Sequence, residues 1–268
     1  MKDHLLELVG EKSDPRDKRN VAREYLQANL LRIVHDLSLF EILSFLGGTA
    51  LRFVHNLPRF SEDLDFSLHR EQPDVLRQLL RRAQGELSAA GYDVTMTLSE
   101  KTAVHKAFVR FRGLLHEMGI SPNASENLSV KIEIDTRPPA GALLETTVIH
   151  KFFPLAIRHP DVPSLFAGKI AAILGRPYDK GRDYYDLLWY LTRWPGLVPN
   201  TALLTASLAQ TRKDAPSIQD KDWKDWIEKK FKSVSWETVQ QDVSPFLERP
   251  GDRSLLTMEN LLKLLRHN

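Results

Sequence analysis

The chain has 268 residues, a formal net charge of +2, 42% hydrophobic and 27% charged residues, and no cysteine. That balance suits a folded protein of one large or two small domains, and it offers no bulk electrostatic case for nucleic-acid binding, so any basic surface has to be a local patch. Without cysteine there is no disulfide framework, thiolate zinc site or cysteine nucleophile, which fits a cytoplasmic protein.

The first apolar run is broken by acids within a few residues, unlike a signal peptide, and no apolar stretch nears the ~20 residues that span a membrane. Pro15 to about Leu37 predicts a helix, because Ala22, Leu26, Leu30, Ile33 and Leu37 recur at helical spacing and Pro15 suits a first turn. Phe40–Leu46 reads as a buried strand stopped at Gly47-Gly48, with Thr49 as the cap of a helix over Ala50–His55. After a loop, Asp63–Leu68 alternates with period two and predicts a strand. Gln72–Ala90 predicts an amphipathic helix, and Tyr92–Leu98 and Val104–Arg112 predict strands. In the second of these Phe108 interrupts the basic side formed by Lys106, Arg110 and Arg112. Gly113–Asn127 has loop composition. Leu128–Thr136 alternates sharply, with Val130, Ile132 and Ile134 on one side and Lys131, Glu133 and Asp135 on the other, and Leu144–Phe152 adds one more strand.

Beyond Pro163 the pattern turns helical: Ser164–Leu174, Arg182–Thr192, Asn200–Ala209, Asp222–Lys232, Trp236–Leu247 and Ser254–His267. The tryptophans all lie in this half, as helix-packing anchors. The expected fold is α+β: a small mixed sheet with flanking helices over residues 1–160, including an N-terminal helical arm, and a helical C-terminal domain over 161–268 that contributes to the active site.

The chemistry concentrates in two runs. Gly47-Gly48 ends a strand and opens a helix, where glycine lets phosphates approach backbone N–H groups at the positive helix end. Period two then puts Asp63 and Asp65 on one strand face and Leu64 and Phe66 on the other. Two like charges sharing a face call for a cation, and magnesium binds through one or two carboxylates plus phosphate and water oxygens. Glu133 or Asp135, with Glu133 favoured, offers a third acid beside Lys131, and such a set suits two metals ~3.5–4 Å apart. Further on, Lys169 is the one charge in Leu165–Leu174 and needs an anionic partner, for which a triphosphate oxygen would serve. Asp183 and Asp186 share a helix face and can orient Lys169 or Arg182. Arg59 flanks the turn as a phosphate contact, whereas Arg52 reads as a plain surface charge.

These motifs, in this order from about Leu37 to Leu191, resemble the AbiEii-type nucleotidyltransferase toxins of the DNA polymerase β-like nucleotidyltransferase superfamily: Gly47-Gly48-Thr49, Arg59-Phe60-Ser61-Glu62-Asp63-Leu64-Asp65, Lys131-Ile132-Glu133-Ile134-Asp135, Lys169, and Arg182-Asp183-Tyr184-Tyr185-Asp186-Leu187. The resemblance implies a toxin of a bacterial toxin–antitoxin or phage-defence system that is paired with an antitoxin. It implies transfer of a nucleotide from an NTP, with Mg2+ or Mn2+, to an acceptor such as a tRNA 3′ end. Asp63, Asp65, Glu133, Lys169, Asp183 and Asp186 would be catalytic. Gly47, Gly48, Thr49, Arg59, Ser61, Lys131 and Arg182 would bind the nucleotide. Gly48 stands where the superfamily often has serine, leaving Thr49 or Ser61 to supply a hydroxyl. Two other readings stay open: a non-catalytic regulator that only binds NTP, and a nucleic-acid-binding module acting through Arg110, Arg112, Lys131, Lys151 and Arg158.

Overall fold

Asp14 caps the first long helix by accepting the backbone N–H of Arg16 at 2.7 Å, and Pro15 follows it inside the first turn, where its missing N–H costs nothing. The computed structural model describes residues 1–211 and 222–267. In chain order the elements are α1 (Lys2–Gly10), α2 (Pro15–Asp36), β1 (Leu43–Leu46), α3 (Gly47–His55), β2 (Asp63–Leu68), α4 (Val75–Ala89), β3 (Val94–Ser99), β4 (Val104–Phe111), α5 (Leu114–Glu117), β5 (Leu128–Asp135), β6 (Leu144–His150) and β7 (Pro154–Pro160). There follow α6 (Val162–Gly175), α7 (Gly181–Arg193), α8 (Thr201–Thr211), α9 (Trp223–Phe231), α10 (Trp236–Val243) and α11 (Met258–His267). Among the described residues no helix is long and apolar enough to cross a membrane.

Contacts divide the chain into two units. The first comprises Met1–His55, Phe60–Pro138 and Thr146–His159; the second comprises Asn56–Arg59, Pro139–Glu145 and Pro160–Asn268. The first is built on a five-stranded mixed sheet of order β1-β2-β5-β4-β3, in which β2 and β5 run parallel and the other neighbours antiparallel. Leu64, Phe66, Ala107, Val109, Phe111, Val130, Ile132 and Ile134 bury one face of this sheet in the core with α2 residues Leu26, Leu30 and Ile33. The opposite face carries the polar residues of β2 and β5, with Phe108 of β4 and Leu46 of β1 as apolar exceptions. Strict period two in β2 and β5 therefore does what the sequence pattern requires.

Several expectations need adjusting. The predicted strand from Phe40 begins only at Leu43, because Leu39–Glu41 forms a 3-10 turn. Helix α3 starts at Gly47, so Thr49 lies inside it and is not its cap. The expected loop after Gly113 contains the short α5. Two elements were not expected at all. Helix α1 buries little beyond Leu5 and Val9, and β7 opens on a proline and carries Arg158 and His159, so neither shows a strong periodic signal.

The second unit is helical. Asp161 caps α6 by accepting the Ser164 N–H, and Phe166 packs against Tyr190 of α7 and Trp223 of α9, with centroids 4.7 and 5.3 Å away. Trp236 packs on Tyr184 and Phe231. The C-terminal helix starts at Met258, not Ser254, because Pro250–Leu255 is a 3-10 stretch.

Candidate active site

The site is built at the corner where β1 turns into α3. Gly47 has φ +78°, and a Cβ added there would collide with the Asp65 carboxylate, so the glycine both makes the turn and gives that carboxylate its seat. Gly47 and Gly48 are also the first residues of α3, whose positive end favours an anion. The Thr49 hydroxyl donates to the Asp63 carbonyl and is fully buried, which ties α3 to β2. Of the two hydroxyls expected to stand in for a phosphate-binding serine, Thr49 and Ser61, that of Thr49 is thus engaged by backbone. Asp63 and Asp65 are half-buried on the polar side of β2, while Leu64 and Phe66 are buried on the other.

Strand pairing decides which third acid joins them. Asp63 is level with Lys131 and Asp65 with Glu133, whereas Asp135 is level with Ser67. The Asp135 carboxylate also accepts the Arg137 N–H at 2.9 Å. Glu133 is accordingly the acid beside the aspartates, and it comes with cations: Lys131 Nζ at 2.8 Å and Lys106 Nζ, from β4, at 3.2 Å. Burial opposes its charge, but the hydrogen bonds and charges of the two lysines win and hold it below the ordinary glutamate value. Burial likewise works against the Lys131 charge, yet Glu133, Asp63 and Asp65 together raise its pKa. The polar face of the sheet therefore carries a carboxylate pair with a lysine held next to it.

Helix α2 supplies residues that the sequence reading missed. Asn20, Glu24 and Gln27 are buried polar residues at positions i, i+4 and i+7, one stripe of a helix read only for its apolar positions. Gln27 Nε2 donates to the Ser61 carbonyl at 3.1 Å, and Arg23 pairs with Glu62 at 3.3 Å, fixing the two residues that precede Asp63. Glu24 accepts from Arg52 Nε at 2.5 Å and pairs with Lys151 at 3.0 Å. Arg52, expected at the surface, is buried with its guanidinium over the Phe60 ring at 4.6 Å. Its place on α3 turns it inward toward α2, and a buried arginine persists there because a carboxylate is buried with it. The polar stripe was the available signal.

The remaining candidates belong to the helical unit. Arg59 is 1% exposed and grips Asp186 with two hydrogen bonds of 2.6 Å. Lys169 Nζ lies 2.6 Å from Asp186 and 3.0 Å from Asp183, and Arg176 also pairs with Asp183. Burial would lower the Lys169 pKa, but the two aspartates raise it, so it stays charged. The anionic partner that a lone lysine in an apolar helix requires is thus present within the unit. Arg182 stacks over Phe246 at 4.1 Å.

This arrangement can be compared with known proteins. The model of the family described as nucleotidyl transferase AbiEii toxin, type IV TA system, matches residues 30–257. The chain belongs to the AbiEii nucleotidyltransferase toxin family. Solved structures with a similar fold include MenT4, a nucleotidyltransferase toxin from Mycobacterium tuberculosis H37Rv, with 14% identity and a TM-score of 0.60 over 100% of this chain and 90% of that one. A putative nucleotidyltransferase from H. pylori has 20% identity and a TM-score of 0.56 over 89% of this chain and 91% of that one. JHP933 from Helicobacter pylori has 19% identity and a TM-score of 0.52 over 90% and 88%. No curated protein matches. As an AbiEii-family protein the chain is a nucleotidyltransferase with an α+β fold. A divalent metal suits the donor chemistry of Asp63 and Asp65, two hard oxygen ligands on one face. Glu133 beside them is engaged by Lys131 and Lys106.

Proposed function

We propose that this chain is a toxin that transfers a nucleotide from an NTP to the 3′ hydroxyl of an RNA, a tRNA end being the acceptor the family likeness suggests. The observation that carries the reading is the register of β2 on β5, with Asp63, Asp65 and Lys131 on one face beside the glycine start of α3. In this reading the first N–H groups of α3, at Gly47 and Gly48, bind phosphate oxygens with the helix dipole behind them. Asp63 and Asp65 hold Mg2+ or Mn2+, which when bound neutralises phosphate charge and favours the ionised form of an attacking hydroxyl. Lys131 adds a fixed positive charge for the phosphates. We assign Glu133 to holding Lys131 and Lys106 in place, and Asp135 to the Arg137 turn. Gln27 and Arg23 keep the Ser61-Glu62 segment in position. The acceptor oxygen bonds to the α-phosphorus, pyrophosphate leaves with the electrons of the broken P–O bond, and the hydroxyl proton passes to solvent.

Arg59, Lys169, Arg182, Asp183 and Asp186 enter this reading through the family likeness. Activity lost on changing them has to be separated from unfolding, because four of them form a buried charge network in their own unit. A cognate antitoxin and a cytoplasmic site of action complete the proposal.

The test incubates the purified protein with magnesium, each labelled NTP and total RNA. Label should pass to RNA with the parent, and Asp65→Ala should reduce transfer by at least ~10²–10³-fold while the fold is retained. Equal transfer by both proteins overturns the mechanism. NTP binding without pyrophosphate release would instead favour the regulator.

A further inference from the structure

The sheet face that carries the aspartates continues across β4 and β3. Strand register sets side chains in rows. One runs Thr97, Phe108, Lys131, Asp63; the next runs Ser99, Lys106, Glu133, Asp65; on the other side lies Thr95, Arg110, Ser129. Thr97, Ser99 and Lys106 are exposed, and Phe108 and Arg110 are half-buried. Phe108 is the aromatic that broke the alternation of its strand. Lying two strands from Asp63, it is ~10 Å away at the usual strand spacing.

Most cations of the supposed basic patch are committed elsewhere. Lys131 pairs with Glu133, as does Lys106 outside that set, Arg112 pairs with Asp93 at 2.9 Å, and Lys151 with Glu24, while Arg158 donates to the Glu41 carbonyl at 2.9 Å. Arg110 differs. Its guanidinium lies over the Phe108 ring, 5.2 Å from the centroid, and Nη1 donates to the Thr97 hydroxyl at 3.2 Å. Among the described residues no carboxylate pairs with it. An aromatic ring beside an arginine without a counter-anion, on a face that runs into an acid pair, matches what single-stranded nucleic acid requires: a surface for a base and a charge for its phosphate. The hydroxyls of Thr95, Thr97 and Ser99 line the same face of β3, and a hydroxyl can both donate to and accept from a ribose 2′-OH, the group that separates RNA from DNA.

We infer that this face of β3 and β4 is the landing surface for the single-stranded 3′ end of the RNA acceptor. A base stacks on Phe108, Arg110 takes a phosphate, and the chain end points along the Lys131 row toward Asp63. The inference rests on the nucleotidyl-transfer reading and specifies where the acceptor enters.

The test measures anisotropy of a 5′-labelled single-stranded RNA octamer with the full chain, without NTP. Phe108→Ala should weaken binding about five- to a hundredfold. Phe108→Leu, which keeps apolar bulk for the fold but cannot stack, should be similarly weak, and Phe108→Trp should restore binding. Arg110→Gln should weaken binding and flatten its salt dependence. In transfer assays Phe108→Leu should raise the KM for RNA and leave the KM for NTP unchanged. Parental RNA affinity in Phe108→Leu overturns the inference, as does equal affinity for the DNA octamer or for a blunt RNA duplex. Binding is read without catalysis, so its failure is distinct from failure of the transfer reading, which Asp65→Ala tests alone.

Discussion

Gly47 does two jobs that no other residue can combine, since it turns the chain through φ +78° and leaves room for the Asp65 carboxylate. Gly47→Ala should therefore cost ~1–3 kcal/mol of stability from backbone strain and reduce transfer far more than that loss explains, because Asp65 must move. Thermal unfolding and turnover measured on the same preparation check this, and parental turnover would contradict it. Asp183 makes a different prediction. Burial alone would raise its pKa, but the charges of Lys169 and Arg176 outweigh burial and hold it below the ordinary aspartate value. As pH falls, the unfolded chain takes up the proton first. The stability that Asp183 contributes is thus fully present above about pH 4 and is lost as pH drops through the folded-state value. Asp183→Asn should be less stable than the parent at pH 7, with the gap in Tm closing below about pH 4. A gap of constant size across that range would show that the ion pairs are not the cause.

At the scale of elements, the legible parts were those with strict periodicity. The predicted strand Asp63–Leu68 has the observed bounds because its alternation is complete, and β5 was predicted to within a residue for the same reason. The apolar stripe of α2 is legible in its sequence, whereas its second buried stripe, of polar residues, is not. A polar residue counts as exposed until a partner is known, and the partners Ser61, Arg52 and Lys151 are remote in sequence. The same holds for Arg59 and Asp186, which are 127 positions apart. Arg59→Ala would leave Asp186 buried with Lys169 and should cost ~3–5 kcal/mol, measurable by denaturant titration. Between α7 and α10 the limit is space: a Cβ at Gly181 would run into the Val239 carbonyl. Gly181→Ala should lower Tm by several degrees, whereas Gly168→Ala, with open space around it, should not.

Across the whole molecule the near balance of charge matters most. With a net charge of +2 and most sheet-face cations already paired, RNA binding should depend weakly on salt. A slope of log affinity against log salt near −1 to −2 is expected, given ~0.7 per phosphate on a single strand. A slope of −5 or steeper in an anisotropy titration would point to a basic surface elsewhere.

The residue order alone determined the α+β class, the strand carrying Asp63 and Asp65, and the family likeness, because these depend on local periodicity and on ordered short motifs. Only the tertiary structure decided between Glu133 and Asp135 as the acid beside that pair, occupied Glu133 with two lysines, engaged the Thr49 hydroxyl and buried Arg52 and Arg59. Each of these is a matter of register or of pairing between distant positions, and a one-dimensional pattern carries neither.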